Sequence, residues 1–210
     1  MKKQLGYTII EIFIALAIGL VLFAGVLSIF VGMKTTSVET SSYGELQENG
    51  RFAISLLSED LQKADFWGDY TGTLTAGNFT NIPGAPSPDC VGDGLNNATF
   101  PIALGHFRTI WGKTVTAASN MGCINDATVG SDILQIKRVI SNPIDPVVTP
   151  TGTNNYYMIT NTNGGQIFTG AGVPTVDNSR LWEYQHRVYY VKADGANKVP
   201  VLMQGHLSNK

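Results

Sequence analysis

The segment from Tyr7 to Met33 is apolar and carries a single charged residue, Glu11. Its length of about 27 residues corresponds to roughly 40 Å of α-helix, which is enough to cross a bilayer core of about 30 Å. A carboxylate inside such a helix costs on the order of 2.5–3.5 kcal/mol when it lies deep in the membrane. The sequence therefore predicts a membrane-spanning helix in which Glu11 has a function and a partner.

Two simpler interpretations explain the same segment. A secretory signal peptide also begins with basic residues, here Lys2 and Lys3, but its apolar region is about 7–15 residues long and ends at a site of small residues. This segment is much longer and ends in Val31-Gly32-Met33-Lys34 without such a site. A plain signal anchor with an incidental Glu11 is the second interpretation. With or without a role for Glu11, Lys2 and Lys3 place the N-terminus of an anchored chain in the cytoplasm and the residues after about 34 outside.

The N-terminal residues resemble a known processing signal. Lys2-Lys3-Gln4-Leu5-Gly6, then Tyr7-Thr8-Ile9-Ile10-Glu11 and the apolar helix resemble the class III signal of type IV pilins and type II secretion pseudopilins. The resemblance implies that a prepilin peptidase cuts between Gly6 and Tyr7 and methylates the new amine of Tyr7. It also implies that Glu11 is the assembly carboxylate, which pairs with that amine on a neighbouring subunit. Phe is the more usual first mature residue, so Tyr7 is a mild departure that keeps an aromatic side chain.

A pair between an amine and a carboxylate has a physical basis in the membrane. The two charges attract far more strongly in a medium of low dielectric constant than in water. Each group alone would carry a desolvation cost, and pairing across subunits offsets both costs. Because only one axial offset brings the charges together, the pair would also set the register of neighbouring helices.

Composition favours an anchored protein with one extracytoplasmic domain. Of the 210 residues, 43% are hydrophobic and only 14% are charged, against roughly 25% charged in an ordinary soluble domain. The part beyond the membrane span, about 175 residues, is long enough for one domain with its own core. The net charge is -2 and Lys and Arg do not cluster, so the chain has no electrostatic footprint for nucleic acid.

The helix is predicted to continue past the membrane to about residue 66, because no proline interrupts the segment after Lys34. Apolar residues recur at helical spacing at Leu46, Ala53, Leu56, Leu57, Leu61 and Ala64. The opposite, solvated face is predicted to carry Glu39, Glu48, Arg51, Glu59, Asp60 and Lys63. The predicted organisation is a leader at 1–6, a membrane and assembly half of the helix at 7–33, an amphipathic half at 34–67 and a loop-rich periplasmic β head at 68–210.

A second stretch narrows the resemblance. Gln47-Glu48-Asn49-Gly50-Arg51-Phe52-Ala53, with Asp60-Leu61 and Ala64-Asp65-Phe66-Trp67 after it, resembles the PilW type of minor pilin. This resemblance implies a structural subunit that helps to initiate or cap a type IV pilus and contacts other minor and major pilins through N-terminal helices. The implied location is the inner membrane, with the head in the periplasm, and then the pilus fibre at the cell surface. The J-type minor pseudopilin of a type II secretion system shares this architecture and is the first alternative.

The head is predicted to be built from turns and short strands. Residues 69–130 are rich in Gly, Asn, Thr and Pro, and no element can be placed there. Alternating apolar residues predict strands at 132–140, 156–159, 166–168 and 182–192. Residues 193–197 predict a hairpin turn into a last strand at 199–203, where Pro200 indicates a sheet edge. One long helix followed by antiparallel strands predicts an α+β fold, and the resemblance implies the type IV pilin-like form, with the helix packed on the β-sheet head. The chain stops soon after this hairpin, where relatives often continue, which is expected of a short variant or a truncated chain.

The two cysteines, Cys90 and Cys123, both fall in the predicted periplasmic region, where a disulfide is their expected fate. The three histidines, His106, His186 and His206, match no zinc-ligand spacing. The acidic and Asn-rich stretch 89–97 matches no calcium loop. We therefore expect no metal and no cofactor.

Catalysis is not expected, because no nucleophile, zinc-peptidase or phosphate-binding motif occurs in its required context. A signal-anchored periplasmic binding or adhesive domain that never polymerises is the alternative from a different class. Trp67, Trp111 and Trp182 could form an adhesive surface in that case, although core packing is the expected role of these side chains.

Overall fold

The structure is a computed structural model that describes residues 6–149, 151–170, 172–195 and 199–207. The chain forms two compact units, Met1–Ser55 and Leu56–Lys210. The first unit contains most of a single long helix, and the second contains the last turns of that helix and a β-sheet head.

Helix α1 extends over Ile9–Gln62, which is 54 residues or about 80 Å of helix. In the first unit its large apolar side chains are exposed, as in Phe13 and Phe30 at 66% and 64%. A helix that is apolar all round is the kind found in a membrane or a protein core. Among the described residues, α1 is the one helix long and apolar enough to cross a membrane, which is compatible with the predicted single-pass anchoring.

The C-terminal end of α1 lies at Gln62, before the predicted end near residue 66. The amides of Lys63 and Ala64 bond the carbonyls three residues earlier, which tightens the last turn. Asp65 then adopts a φ of 64°, the left-handed conformation that commonly ends a helix. The helical spacing of the sequence did not reveal this stop, because Asp is tolerated there without a glycine.

The head is a six-stranded antiparallel sheet, so the predicted α+β architecture of pilin type is confirmed. Its strands are β1 Ile110–Thr114, β2 Asp132–Val139, β3 Tyr156–Asn161, β4 Gly164–Thr169, β5 Arg180–Asp194 and β6 Val199–His206. The predicted strands correspond to β2 through β6, while β1 lies within the region where the sequence predicted no element.

The sheet is organised around β5, the longest strand with 15 residues. The strand order is β1-β2-β5-β3-β4, and β6 also pairs with β5 as the predicted hairpin. Because β2 occupies one edge of β5 opposite 184–189, β3 and β6 lie end to end along the other edge. Among the described residues, β6 pairs with β5 alone, which agrees with the edge position that Pro200 predicted.

The main core lies on one face of the sheet and is closed by the irregular segment that follows the helix. Trp67 stacks on Tyr184 at a centroid distance of 5.9 Å, and Phe100 packs against Tyr156 at 5.0 Å. Trp67 and Trp182 are 2% and 3% exposed, so core packing, not an adhesive surface, is their role. The full cluster is Trp67, Tyr70, Leu74, Phe79, Phe100, Phe107, Val139, Tyr156, Met158, Ile167, Trp182, Tyr184 and Leu207.

Candidate assembly site

The predicted cleavage site lies just before α1. Gly6 and Tyr7 are outside the helix, and the Tyr7 side chain is 87% exposed. The rest of the predicted leader, residues 1–5, lies outside the described residues. An extended, exposed peptide bond between Gly6 and Tyr7 is the kind of substrate that a peptidase can reach.

Glu11 and Thr8 form a reciprocal cap at the start of α1. The backbone N–H of Thr8 donates to Glu11 Oε2 at 2.9 Å, and the backbone N–H of Glu11 donates to Thr8 Oγ1 at 3.4 Å. The Thr8 hydroxyl also donates to Glu11 Oε2 at 2.9 Å. The amide of Ile12 bonds the Thr8 carbonyl, so Thr8 is the N-cap and Glu11 is the third helical residue. This is a capping box.

The capping box gives Glu11 a local role that the sequence analysis missed. The signal was present, because Thr or Ser followed three residues later by Glu marks a helix start. All three contacts leave the other carboxylate oxygen aside, and no described residue donates to Glu11 Oε1. The structure therefore brings Thr8, Tyr7 and Glu11 together at one exposed end, with an acceptor open to a further donor.

A second carboxylate of α1, Asp60, lies in the head unit and contradicts its prediction. The sequence placed Asp60 on the solvated face of the helix, but it is only 2% exposed. Arg138 of β2 donates to Asp60 Oδ1 from Nε at 3.0 Å and from Nη2 at 2.6 Å. From β5, Arg187 Nη1 donates to Oδ1 at 2.9 Å and the Tyr189 hydroxyl donates to Oδ2 at 2.6 Å. The prediction was wrong because helical periodicity does not show which charged residues meet distant cations.

The Asp60 cluster has a clear electrostatic sense. Burial by itself would raise the pKa of Asp60, but hydrogen bonds from Tyr189 and Arg138 and the charges of Arg138 and Arg187 lower it below its usual value. Burial and the Asp60 carboxylate raise the pKa of Tyr189 to about 12. Asp60 is therefore held as a carboxylate and Tyr189 as a neutral donor, which fixes the last turn of α1 to β2 and β5.

A buried lysine lies on the opposite face of the sheet. Lys137 is 0% exposed, and its Nζ donates to Asn97 Oδ1 at 3.0 Å and to the Arg108 carbonyl at 3.1 Å. Nζ also lies 4.6 Å from the centre of the Phe107 ring. Burial lowers the pKa of Lys137 to about 7. The arrangement ties the irregular segment 97–108 to the middle of β2.

A chain of hydrogen bonds runs beside Lys137. His186 Nδ1 lies 2.9 Å from Thr99 Oγ1, and Gln135 Nε2 lies 2.7 Å from His186 Nε2. The Thr99 hydroxyl in turn donates to Asp89. Burial, with the charge of Lys137, lowers the pKa of His186 well below its usual value, so the imidazole is neutral and accepts from Gln135. His186 is thus a buried strand residue that holds the segment 89–99 on the sheet.

The disulfide between Cys90 and Cys123 is present and joins two irregular segments 33 residues apart. Gln135 Nε2 donates to the Cys90 carbonyl at 3.2 Å, so the same amide contacts both the disulfide segment and His186. A small cluster around Ile133 and Val188 packs against the two cysteines. Segments with little regular structure are therefore held by a covalent bond and by buried polar contacts.

Comparison with known proteins adds no relative. No protein-family profile matches the chain, and neither a curated protein nor a solved structure is similar to it. Among the described residues, no group of three or more His, Cys, Asp and Glu side chains is arranged to hold a metal ion.

Proposed function

We propose that this chain is a minor pilin of the PilW type, a structural subunit that helps to initiate or cap a type IV pilus. Prepilin peptidase removes residues 1–6 and methylates Tyr7, and the mature chain joins other pilins through its N-terminal helix. The observation that carries the proposal is the long apolar helix that begins at a Thr8–Glu11 cap directly after Gly6 and Tyr7.

The geometry of the cap supports pairing between subunits. Glu11 uses Oε2 for its own helix, while Oε1 has no donor among the described residues. A methylated amine from a neighbouring Tyr7 is a donor of opposite charge for that oxygen. The uncut chain has no amine at Tyr7, so cleavage and assembly are linked by one contact.

The processing step is tested by mass spectrometry of the full chain extracted from membranes. We expect the loss of residues 1–6 and one methyl group on the amine of Tyr7. A bulky substitution at the cleavage site, Gly6→Ile, should leave the leader in place and serves as the matched control. An intact wild-type N-terminus would contradict both the pilin proposal and the pseudopilin alternative, and would favour a signal-anchored domain that does not polymerise.

The assembly step is tested by two substitutions that separate charge from capping. Glu11→Gln keeps an oxygen that can cap the helix but removes the negative charge, whereas Glu11→Ala removes both. Both variants should be cleaved normally and reach pili at least about tenfold less than wild type, because a charge pair in low dielectric is lost. Quantitative immunoblots of sheared pili measure the effect. Normal incorporation of Glu11→Gln would contradict the charge pair.

Pilus and secretion system are separated by partners. Co-purification of the full chain with the minor pilins of a type IV pilus would favour the PilW assignment. Co-purification with the pseudopilins of a type II secretion system instead would favour the J-type alternative.

A further inference from the structure

A cleft of about 320 Å³ opens in the head unit where the last turns of α1 meet β2 and β5. Its volume corresponds to roughly ten water molecules at about 30 Å³ each, which is enough for a small polar group. The residues that line it are Leu56, Glu59, Asp60, Lys63, Arg138, Ile140, Ser141, Asn142, Gln185 and Arg187.

The charges that line the cleft do not balance. Lys63, Arg138 and Arg187 are cations, and only Glu59 and Asp60 are carboxylates. Lys63 and Glu59 pair with each other at 2.5 Å, so both arginines depend on the single Asp60. One positive charge is therefore left over beside a buried carboxylate that already accepts four hydrogen bonds.

Two polar groups in the cleft are also unsatisfied. Arg187 Nε is buried and has no hydrogen-bond partner among the described residues. Gln185 is 8% exposed, and its Oε1 is likewise buried without a partner in the described part of the chain. Leaving such groups unpaired costs on the order of 1–3 kcal/mol each, so their presence favours a ligand.

The orientation of Arg187 indicates what kind of ligand fits. The guanidinium spends Nη1 on Asp60, and the edge that carries Nε presents two parallel N–H groups in the spacing of a planar carboxylate. Rotation of the Gln185 amide by half a turn brings its NH₂ group toward the same position. A monoanion would also match the single excess positive charge.

We propose that this cleft is a carboxylate-binding subsite, in which Arg187 Nε and the Gln185 amide donate to one carboxylate group. The carboxylate could come from a free small acid or from an acidic side chain of a second copy of this chain. The second source rests on the proposed function, because it requires that subunits assemble.

The test uses the full chain in detergent, labelled with ¹⁵N-glutamine and titrated with sodium succinate. Sodium chloride at the same ionic strength is the solvent control. The Gln185 side-chain signal is identified as the one lost in Gln185→Leu. We expect this signal to shift and saturate with succinate but not with chloride.

Arginine variants show whether the shift reports the proposed geometry. Arg187→Lys keeps the charge but loses Nε, so succinate should bind about tenfold more weakly or worse. Arg180→Lys is the matched control, since Arg180 lies at the far end of β5 and pairs with Asp69. We expect it to bind like wild type. Absence of a saturable shift, or equal affinity in Arg187→Lys, would overturn the subsite.

Gln185→Leu keeps the proposal testable if Arg187→Lys fails to fold, because it leaves the contacts of Asp60 intact. Calorimetry should then show succinate binding weakened about tenfold in Gln185→Leu, and unchanged affinity would also overturn the subsite.

Sedimentation of the wild-type chain with and without succinate separates the two sources. Association that succinate reverses assigns the carboxylate to a second copy, whereas a monomer that still binds succinate assigns it to a free acid. Neither result depends on cleavage at Gly6, so failure of the subsite and failure of the pilin proposal are distinguishable.

Discussion

Helix α1 carries two carboxylates that the chain uses in opposite ways. Glu11, at the start of the helix, is exposed and contacts Thr8, three residues away. Asp60, near the end, is buried and contacts Arg138, Arg187 and Tyr189, which are 78, 127 and 129 residues away. One helix therefore begins with a local contact and ends with a long-range one.

The difference teaches which part of the chain each carboxylate serves. The Glu11 contact forms whenever the first turn is helical, so it requires no head. The Asp60 contact exists only when β2 and β5 are already paired, because their side chains supply every donor. Substitutions at the two sites should therefore change different properties by different amounts.

The largest effect is expected at Asp60. Asp60→Ala leaves Arg138, whose side chain is 7% exposed, without its carboxylate. Removal of one partner from a buried ion pair typically costs about 3–5 kcal/mol, so the free energy of unfolding of the head should fall by that amount. Urea unfolding of the full chain in detergent, followed by the fluorescence of the buried Trp67 and Trp182, measures it.

Glu59→Ala is the matched control for Asp60, because Glu59 is adjacent on the helix but makes an exposed pair with Lys63. Its effect should stay within about 0.5 kcal/mol. Since the folded-state pKa of Asp60 is lowered from 3.8, wild type should also lose this contribution as the pH falls below that value. Equal losses in Asp60→Ala and Glu59→Ala would break the comparison between a buried and an exposed carboxylate.

A smaller effect, dependent on pH, is expected from Lys137. Its folded-state pKa is lowered from 10.5 to about 7, so between these values the unfolded chain binds more protons than the folded one. Stability should therefore rise with pH from about 7 to 9, with a slope of up to about 1.4 kcal/mol per pH unit. Urea unfolding at several pH values gives the slope.

Lys137→Met should flatten this dependence, because the titrating group is gone. Lys113→Met is the control, since Lys113 is partly exposed and pairs with Asp93, and it should keep the wild-type slope. A slope that persists in Lys137→Met would assign the pH dependence to another group and not to the buried lysine.

The smallest effect is expected at the cap. Thr8→Ala should cost about 1 kcal/mol and be confined to the first turn of α1, because it removes one reciprocal contact. Amide hydrogen exchange at Ile9 to Ile12 in detergent should become about fivefold faster, while the exchange of the head is unchanged.

Thr36→Ala is the control for the cap, because the Thr36 hydroxyl bonds a carbonyl inside the helix, that of Gly32. Exchange of the first turn should not respond to it. Faster exchange in the head of Thr8→Ala would contradict the local character of the Glu11 contact.

Strand prediction succeeded where alternating side chains recorded burial, and failed elsewhere. The segments of β2 and β5 show apolar residues at every second position in their central parts, so their faces could be predicted. Strand β1, Ile110–Thr114, is five residues long and has intermediate and exposed positions only. Its place in the sheet comes from pairing with β2, which its own sequence does not encode.

The irregular segment 69–109 was unpredictable for a related reason. Its order comes from contacts with the sheet, such as Lys137 with Asn97 and His186 with Thr99. Side chains of this kind read as loop residues in sequence, because nothing local shows that they are buried. Only the folded head identifies them as core.

The sequence by itself determined the N-terminal half of this protein. An apolar segment from Tyr7 to Met33, the helix it forms and the Thr8–Glu11 cap depend on neighbours within a few residues, and local spacing records such neighbours. The burial of Asp60, the neutral His186 and the unfilled donor of Arg187 were decided by the tertiary structure alone. Each depends on desolvation and on partners brought from distant strands, and neither can be read from a residue's own surroundings in the chain.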